Sequence, residues 1–184
     1  MTPAPQQQKK PWIPDYTIKH AKIRWRNFGG KVEKFNLNGE RYFTIFLEPH
    51  DAEALASMGL NVKTLPIKEE GQEPQDILKV KVNFKGRPPR LVLVTSRGRT
   101  TLGEDEANAL DLAQIKRDKD NNELVDLILS PYWWEMNGKE GVAVSVKTLF
   151  MTIEEDELEM MYSDIPEASS ALSNRDYTPA EEPF

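Results

Sequence analysis

The stretch "ILKVKVNFK", residues 77–85, sets the strongest limit on the fold. Leu78, Val80, Val82 and Phe84 alternate with Lys79, Lys81 and, beyond Asn83, Lys85. Successive side chains of a strand point to opposite faces, so a period of two builds a ribbon with one oily and one cationic face. A helix would scatter the same residues around its circumference. The oily face demands a covering layer, and the cationic face must meet water or an anion.

The same period recurs along the chain. In "TIKHAKIRWR", residues 17–26, Ile23 and Trp25 fall on one face and Lys22, Arg24 and Arg26 on the other. "RYFTIFLE" (41–48) is aromatic and β-branched, and "LVLVTS" (91–96) is apolar on both faces and hence central. "NVKTLPI" (61–67) suggests a short strand. "LVDLILS" (124–130) and "VAVSVKTLF" (142–150) pair across "MNGKEG", where Asn137-Gly138 is a strong hairpin signal. Loops are expected at "NFGGKVEKFNLNGE" (27–40), "KEEGQEPQD" (68–76), "GRPPR" (86–90) and "RDKDNNE" (117–123).

Three stretches carry helix signals. "PHDAEALASMG" (49–59) has Asp51 near its start and Gly59 as a stop. "GEDEANALDLAQIK" (103–116) is the second. "TIEEDELEMMY" (152–162) opens on Thr152 with Glu155 three residues on, a capping-box pattern. Short alternating strands with a few helices predict a mainly β fold: a β-barrel, specifically an OB-fold with enlarged loops and two or three short helices. A β-sandwich or an unrelated α+β sheet fits the same pattern. The expected organisation is a flexible arm over 1–14, a body over 15–162 and an unordered acidic tail over 163–184. Only 39% of the chain is apolar, as expected if part of it lies outside a core.

Charge is segregated. Residues 1–100 hold 18 lysines and arginines against 10 acidic residues, a net of +8. Residues 101–184 hold 6 against 20, a net of −14, and residues 151–184 alone hold 1 against 10. Such asymmetry points to a nucleic-acid-binding body with an acidic tail. The candidate contacts are the cations Lys22, Arg24, Arg26, Lys31, Lys34, Arg41, Lys79, Lys81, Lys85, Arg87, Arg90, Arg97, Arg99 and Lys139. Phe28, Phe35, Tyr42 and Trp133 are the rings interleaved with them. Single strands need both, cations for phosphates and flat rings for unstacked bases. Within "SPYWWEMNGKEG", the consecutive Tyr132, Trp133 and Trp134 cannot all face inward. They form a hydrophobic cap or a second stacking platform, the latter aided by Lys139 and Lys147.

Enzyme motifs are missing from the sequence. There is no cysteine, only His20 and His50, no HExxH and no P-loop. "DKDNNE" has Asp118, Asp120 and Asn122 at alternate positions, but Glu123 and Leu129 stand where a calcium loop needs Gly and a bidentate Glu. The expectation is a protein with no catalytic residues, no metal and no cofactor. No apolar run can span a bilayer and the N-terminus is no signal peptide, so no membrane partner is expected and the cytoplasm is the default.

The last residues, "AEEPF", place Glu181, Glu182, Pro183 and Phe184 after an acidic stretch. A tethered acidic segment can occupy a basic groove at high effective concentration. Released, Phe184 and its α-carboxylate can enter a partner's pocket. This ending resembles the acidic tip of bacterial single-stranded DNA-binding proteins, with Glu181-Glu182 where that tip is Asp-rich. The body resembles phage-encoded single-stranded DNA-binding proteins of the OB class through "IRWRNFGGK", "LKVKVNFKGRPPR", "TSRGRT" and "VDLILSPYWWEMNGKEGVAVSVKTLF". The resemblance covers residues 17–162 and the last five. It implies an OB-fold, sequence-tolerant binding of single-stranded DNA, a role in phage DNA replication or recombination in the host cytoplasm, and recruitment of replication or recombination proteins through the tail. Homo-oligomerisation is compatible with it. Two other readings fit the charge pattern: a DNA mimic or inhibitor of a host enzyme acting through the acidic half, and a Mg²⁺-dependent nuclease or recombinase accessory.

Overall fold

A computed structural model describes residues 10–155. Nine strands form one sheet: β1 (Tyr16–Ile18), β2 (Lys22–Asn27), β3 (Tyr42–Leu47), β4 (Lys63–Leu65), β5 (Gln75–Lys81), β6 (Arg90–Thr95), β7 (Gly98–Leu102), β8 (Val125–Met136) and β9 (Lys139–Thr152). Helix α1 spans Pro49–Ser57 and a single-turn helix α2 spans Ala109–Leu112. The described residues through Glu154 form one compact unit, which carries all of these elements.

The main path through the sheet runs β1-β8-β9-β5-β3-β2. Its two outermost strands are consecutive in the chain, joined only by residues 19–21. Four extended peptide steps reach about 14 Å, whereas a flat sheet would part these strands by about 24 Å. The sheet therefore curls, and the Ala21 N–H donates to the Val125 carbonyl at 2.8 Å across the near-closure. The result is an OB-like, mainly β fold.

The long hairpin β8–β9 is the spine. It turns at Asn137-Gly138, both at positive φ (51° and 76°), as a two-residue type I′ turn requires. Along its other edge β9 takes β5 in parallel at Lys81↔Ser145 and then β6 in parallel from Arg90↔Thr148 to Val94↔Thr152. Pro88 and Pro89 lie between those two strands, where no ladder donor is needed. Inside the curl, Phe28 stacks on Phe43 with centroids 5.0 Å apart, among Ile23, Ile45, Val80, Leu91, Leu127, Leu129 and Leu149. α1 adds Leu55 and α2 adds Leu110 to the same core.

The cleanly alternating strand behaves as its pattern dictates. Leu78, Val80 and Val82 are buried, and Lys79 and Lys81 are exposed. Three local expectations give way to tertiary structure. The single strand expected over 17–26 is two: it breaks at His20, at φ 54°, so β1 pairs with β8 and β2 with β3. The helix expected over 103–116 shrinks to a 3₁₀ turn at Glu104–Glu106 and the four residues of α2. Only Ala107 and Leu110 of that stretch are buried, too few apolar anchors for a longer helix. Thr152 does not cap a helix. It ends β9, its N–H donates to the Leu124 carbonyl, and Ile153 bridges Ile115. Sheet hydrogen bonds have taken the backbone that the capping box would use; residues 156–162 lie outside the described residues. "TSRGRT" is the turn of a hairpin, β6–β7, and Arg99 belongs to its edge strand.

Candidate nucleic-acid interface

Lys79 and Lys81 stand on the outer face of β5, opposite Thr44 and Tyr42 of β3. The Lys79 ammonium lies 4.4 Å from the Tyr42 ring centroid, a cation–π contact that keeps ring and charge together. Two clefts meet at these lysines. The first is lined by Arg41, Tyr42, Asn83, Phe84, Lys85 and Tyr132, with Glu104 at its rim. The second, where β5 and the β8–β9 hairpin diverge, is lined by Lys63, Ile77, Leu60 and Val142–Val144. Because both also count Lys79 and Lys81 in their walls, they form one groove. A third cleft begins at Ser145, the ladder partner of Lys81, and continues past Arg87, Arg90, Lys147 and Trp12. Cations thus line clefts beside β5, β9 and the start of β6.

The predicted residues divide between these clefts and other places. Arg41, Tyr42, Lys79, Lys81 and Lys85 wall the groove, and Arg87 and Arg90 wall the third cleft. Arg41 is also tied down: it donates to the carbonyls of Phe28 (2.8 Å) and Glu104 (3.1 Å) and stacks 5.0 Å from the Phe84 ring. Arg90 lies 5.3 Å from the Phe150 ring. Lys22 pairs with Glu48 at 3.3 Å.

Four predicted contacts have structural partners instead. Phe28 has no exposed surface and belongs to the core; it lies where the chain enters the curl, not in the open loop. Arg24 holds the buried Glu123 carboxylate with two hydrogen bonds of 2.8 and 3.1 Å. Arg26 donates to the carbonyls of Leu110 and Ala113, both at 2.8 Å, and so terminates α2. Burial lowers its pKa, the Asp111 carboxylate opposing that effect. Trp133 is 39% exposed but donates its indole N–H to the Pro11 carbonyl at 2.9 Å. Lys10 covers its ring and pairs with Glu140, and Asp15 pairs with Lys147 at 2.8 Å, so residues 10–15 run along the hairpin. Of the three consecutive aromatics, Tyr132 is the one that lines the groove.

Lys31, Lys34 and Phe35 ride on the loop between β2 and β3. Two asparagines clasp that loop. Asn36 donates to the carbonyls of Lys31 (3.0 Å) and Glu40 (2.9 Å) and accepts from the Glu40 N–H at 3.0 Å. Asn27 accepts from the Lys31 N–H at 2.7 Å. At the neck, a side chain on Gly30 would come within 2.7 Å of the Gly39 carbonyl. So held, the loop presents Phe35 at 95% exposure with Lys34 5.6 Å from its ring. Arg97, Arg99 and Lys139 are exposed at or near hairpin turns and line none of these clefts. Glu181, Glu182, Pro183 and Phe184 lie outside the described residues. Lys63 and Phe84 wall the groove without having been singled out; Lys63 belongs to a three-residue strand, too short to show a period.

No three His, Asp or Glu side chains converge as a metal site among the described residues. Asp118 spends its carboxylate on the backbone N–H groups of Asn122 and Asp120, both at 2.9 Å, and these bonds hold its pKa low. No helix among the described residues is long and apolar enough to cross a membrane.

An OB-like sheet whose outer groove combines lysines with aromatic rings defines a binder of single strands. Within that class the chain belongs to the phage ssDNA-binding domain family, whose model matches residues 5–182. No curated protein matches the sequence. Among solved structures, the single-stranded DNA-binding protein from bacteriophage Enc34 in complex with ssDNA is similar at 8% identity and a TM-score of 0.47, covering 77% of this chain and 88% of that one. Its C-terminal truncation gives 7% and 0.46, covering 77% and 87%. The gp2.5 protein, a single-stranded DNA binding protein encoded by bacteriophage T7, gives 14% and 0.29, covering 85% and 96%.

Proposed function

We propose that this chain binds single-stranded DNA without regard to sequence, along the groove that Lys79 and Lys81 share with Tyr42 and Tyr132. The observation that carries the reading is the joining of the clefts at those two lysines, next to aromatic rings. Phosphates follow the cations and bases lie on the rings. Neither contact distinguishes one base from another. The biological setting is phage DNA replication or recombination.

The acidic segment 163–184 competes with DNA for the basic groove and, when displaced, recruits replication or recombination proteins through Glu181, Glu182, Pro183 and Phe184. Support comes from charge alone: −9 over residues 151–184 beside +8 over residues 1–100.

Titration with poly-dT, followed by tryptophan fluorescence across a salt series, tests the first part. With about five phosphates neutralised, affinity falls roughly 100-fold between 50 and 200 mM salt. The double variant Lys79→Ala/Lys81→Ala lowers the slope of log K against log salt by about 1.4, near 0.7 per lost contact. An unchanged slope removes the groove from the mechanism. Deleting residues 166–184 tightens binding at low salt; a weaker-binding truncation ends the competition model.

A further inference from the structure

β2 carries a tryptophan where backbone geometry disfavours one. Its register against β3 runs Arg24↔Thr44 and then Asn27↔Tyr42, so Trp25 and Arg26 together oppose the single residue Phe43. This is a β-bulge, and its first residue, Trp25, sits at φ 51°. In the bulge type whose first residue is left-handed, that position is normally glycine, because other side chains crowd the backbone there. A bulky residue at positive φ is an outlier whose cost the surrounding structure must support.

The bulge overturns the face assignment that plain alternation gives. Trp25 would point inward beside Ile23. Instead it is 57% exposed and meets Phe46 on the outer face of β3, edge to face, with centroids 5.4 Å apart. That face is continuous with the groove: Phe46, Thr44 and Tyr42 share it on β3, and Thr44 lies directly opposite Lys79. The nearby cations are already matched, Arg24 by Glu123 and Lys22 by Glu48. This end of the face therefore offers rings rather than unpaired charge.

We infer that Trp25 is a base-stacking residue, set at the β2 end of the single-strand path by a bulge that turns it out of the core. The inference rests on the proposed single-strand binding and extends its path across β3 to β2. A purely structural Trp25 would cover Phe46, and its removal would cost stability and leave binding alone. A stacking Trp25 predicts the reverse, because glycine adopts φ 51° without strain.

The test uses the full chain, a labelled dT oligonucleotide read by anisotropy at several salt concentrations, and thermal unfolding. Trp25→Ala and Trp25→Gly weaken binding about 5- to 150-fold, the range for one lost stacking partner. They leave the salt slope unchanged, and Trp25→Phe recovers most of the affinity. Trp25→Gly unfolds no lower than the unaltered chain. Full affinity in folded Trp25→Ala, or a slope reduced by a phosphate contact, overturns this assignment alone. Absence of binding by the unaltered chain removes the parent reading and this one with it. Should Trp25→Ala or Trp25→Gly fail to fold, Trp25→Leu decides: it keeps apolar cover over Phe46 but offers no ring.

Discussion

The Tyr16 hydroxyl donates to Asp51 at 2.5 Å, tying β1 to the first turn of α1. Burial, this hydrogen bond and the carboxylate's charge raise the Tyr16 pKa to about 12, from about 10 for a free phenol. The folded state therefore holds the proton more tightly than the unfolded chain. The stability this group contributes is fully present below pH 10 and is lost as pH rises toward 12. Tyr16→Phe should flatten the fall in urea midpoint across that window; an equal fall in both proteins would assign it to other groups. Arg24 makes the complementary case. It reads in sequence as a phosphate contact, yet its guanidinium satisfies a carboxylate that is almost fully buried. Arg24→Met should cost about 2–4 kcal/mol in denaturant unfolding, because Glu123 is left unpaired in the interior. It should leave the salt slope of DNA binding unchanged.

At the scale of elements, what could be read in advance depended on whether the signal was local. The Lys79/Lys81 face and the Asn137-Gly138 turn were legible because period and turn chemistry need only a few adjacent residues. The break at His20 and the bulge at Trp25 were not. Both are φ values above zero at non-glycine residues, held by strands distant in sequence. The shortened 103–116 helix and the lost cap at Thr152 share one cause, since Ile115 and Ile153 bridge each other and draw both segments into the sheet margin. The β2–β3 loop gave a partial signal. Its glycines marked a loop, but not that Asn36 would close it. Asn36→Ala removes the acceptor for the Glu40 N–H and the donor to two carbonyls, and should destabilise the protein by about 1–3 kcal/mol. Amide exchange at Glu40 should accelerate in the variant while exchange along β3 stays slow. Equal acceleration at both would mean the asparagine supports the whole sheet rather than the loop.

At the scale of the molecule, the last strand among the described residues decides when the rest of the sheet can be finished. β9 holds β8 on one edge and both β5 and β6 on the other, so pairs as far apart in sequence as Lys81 and Ser145 wait for it. Such distant pairing carries a large loop-closure entropy and places the fold among slow, millisecond-to-second folders. During synthesis the edges of β5 and β6 emerge well before the partner that covers them, and uncovered edges template aggregation. The lysines that punctuate β5 give that unprotected ribbon a charge of its own, so the side chains that read as a ligand surface in the finished protein also keep the nascent one apart from its neighbours on the polysome.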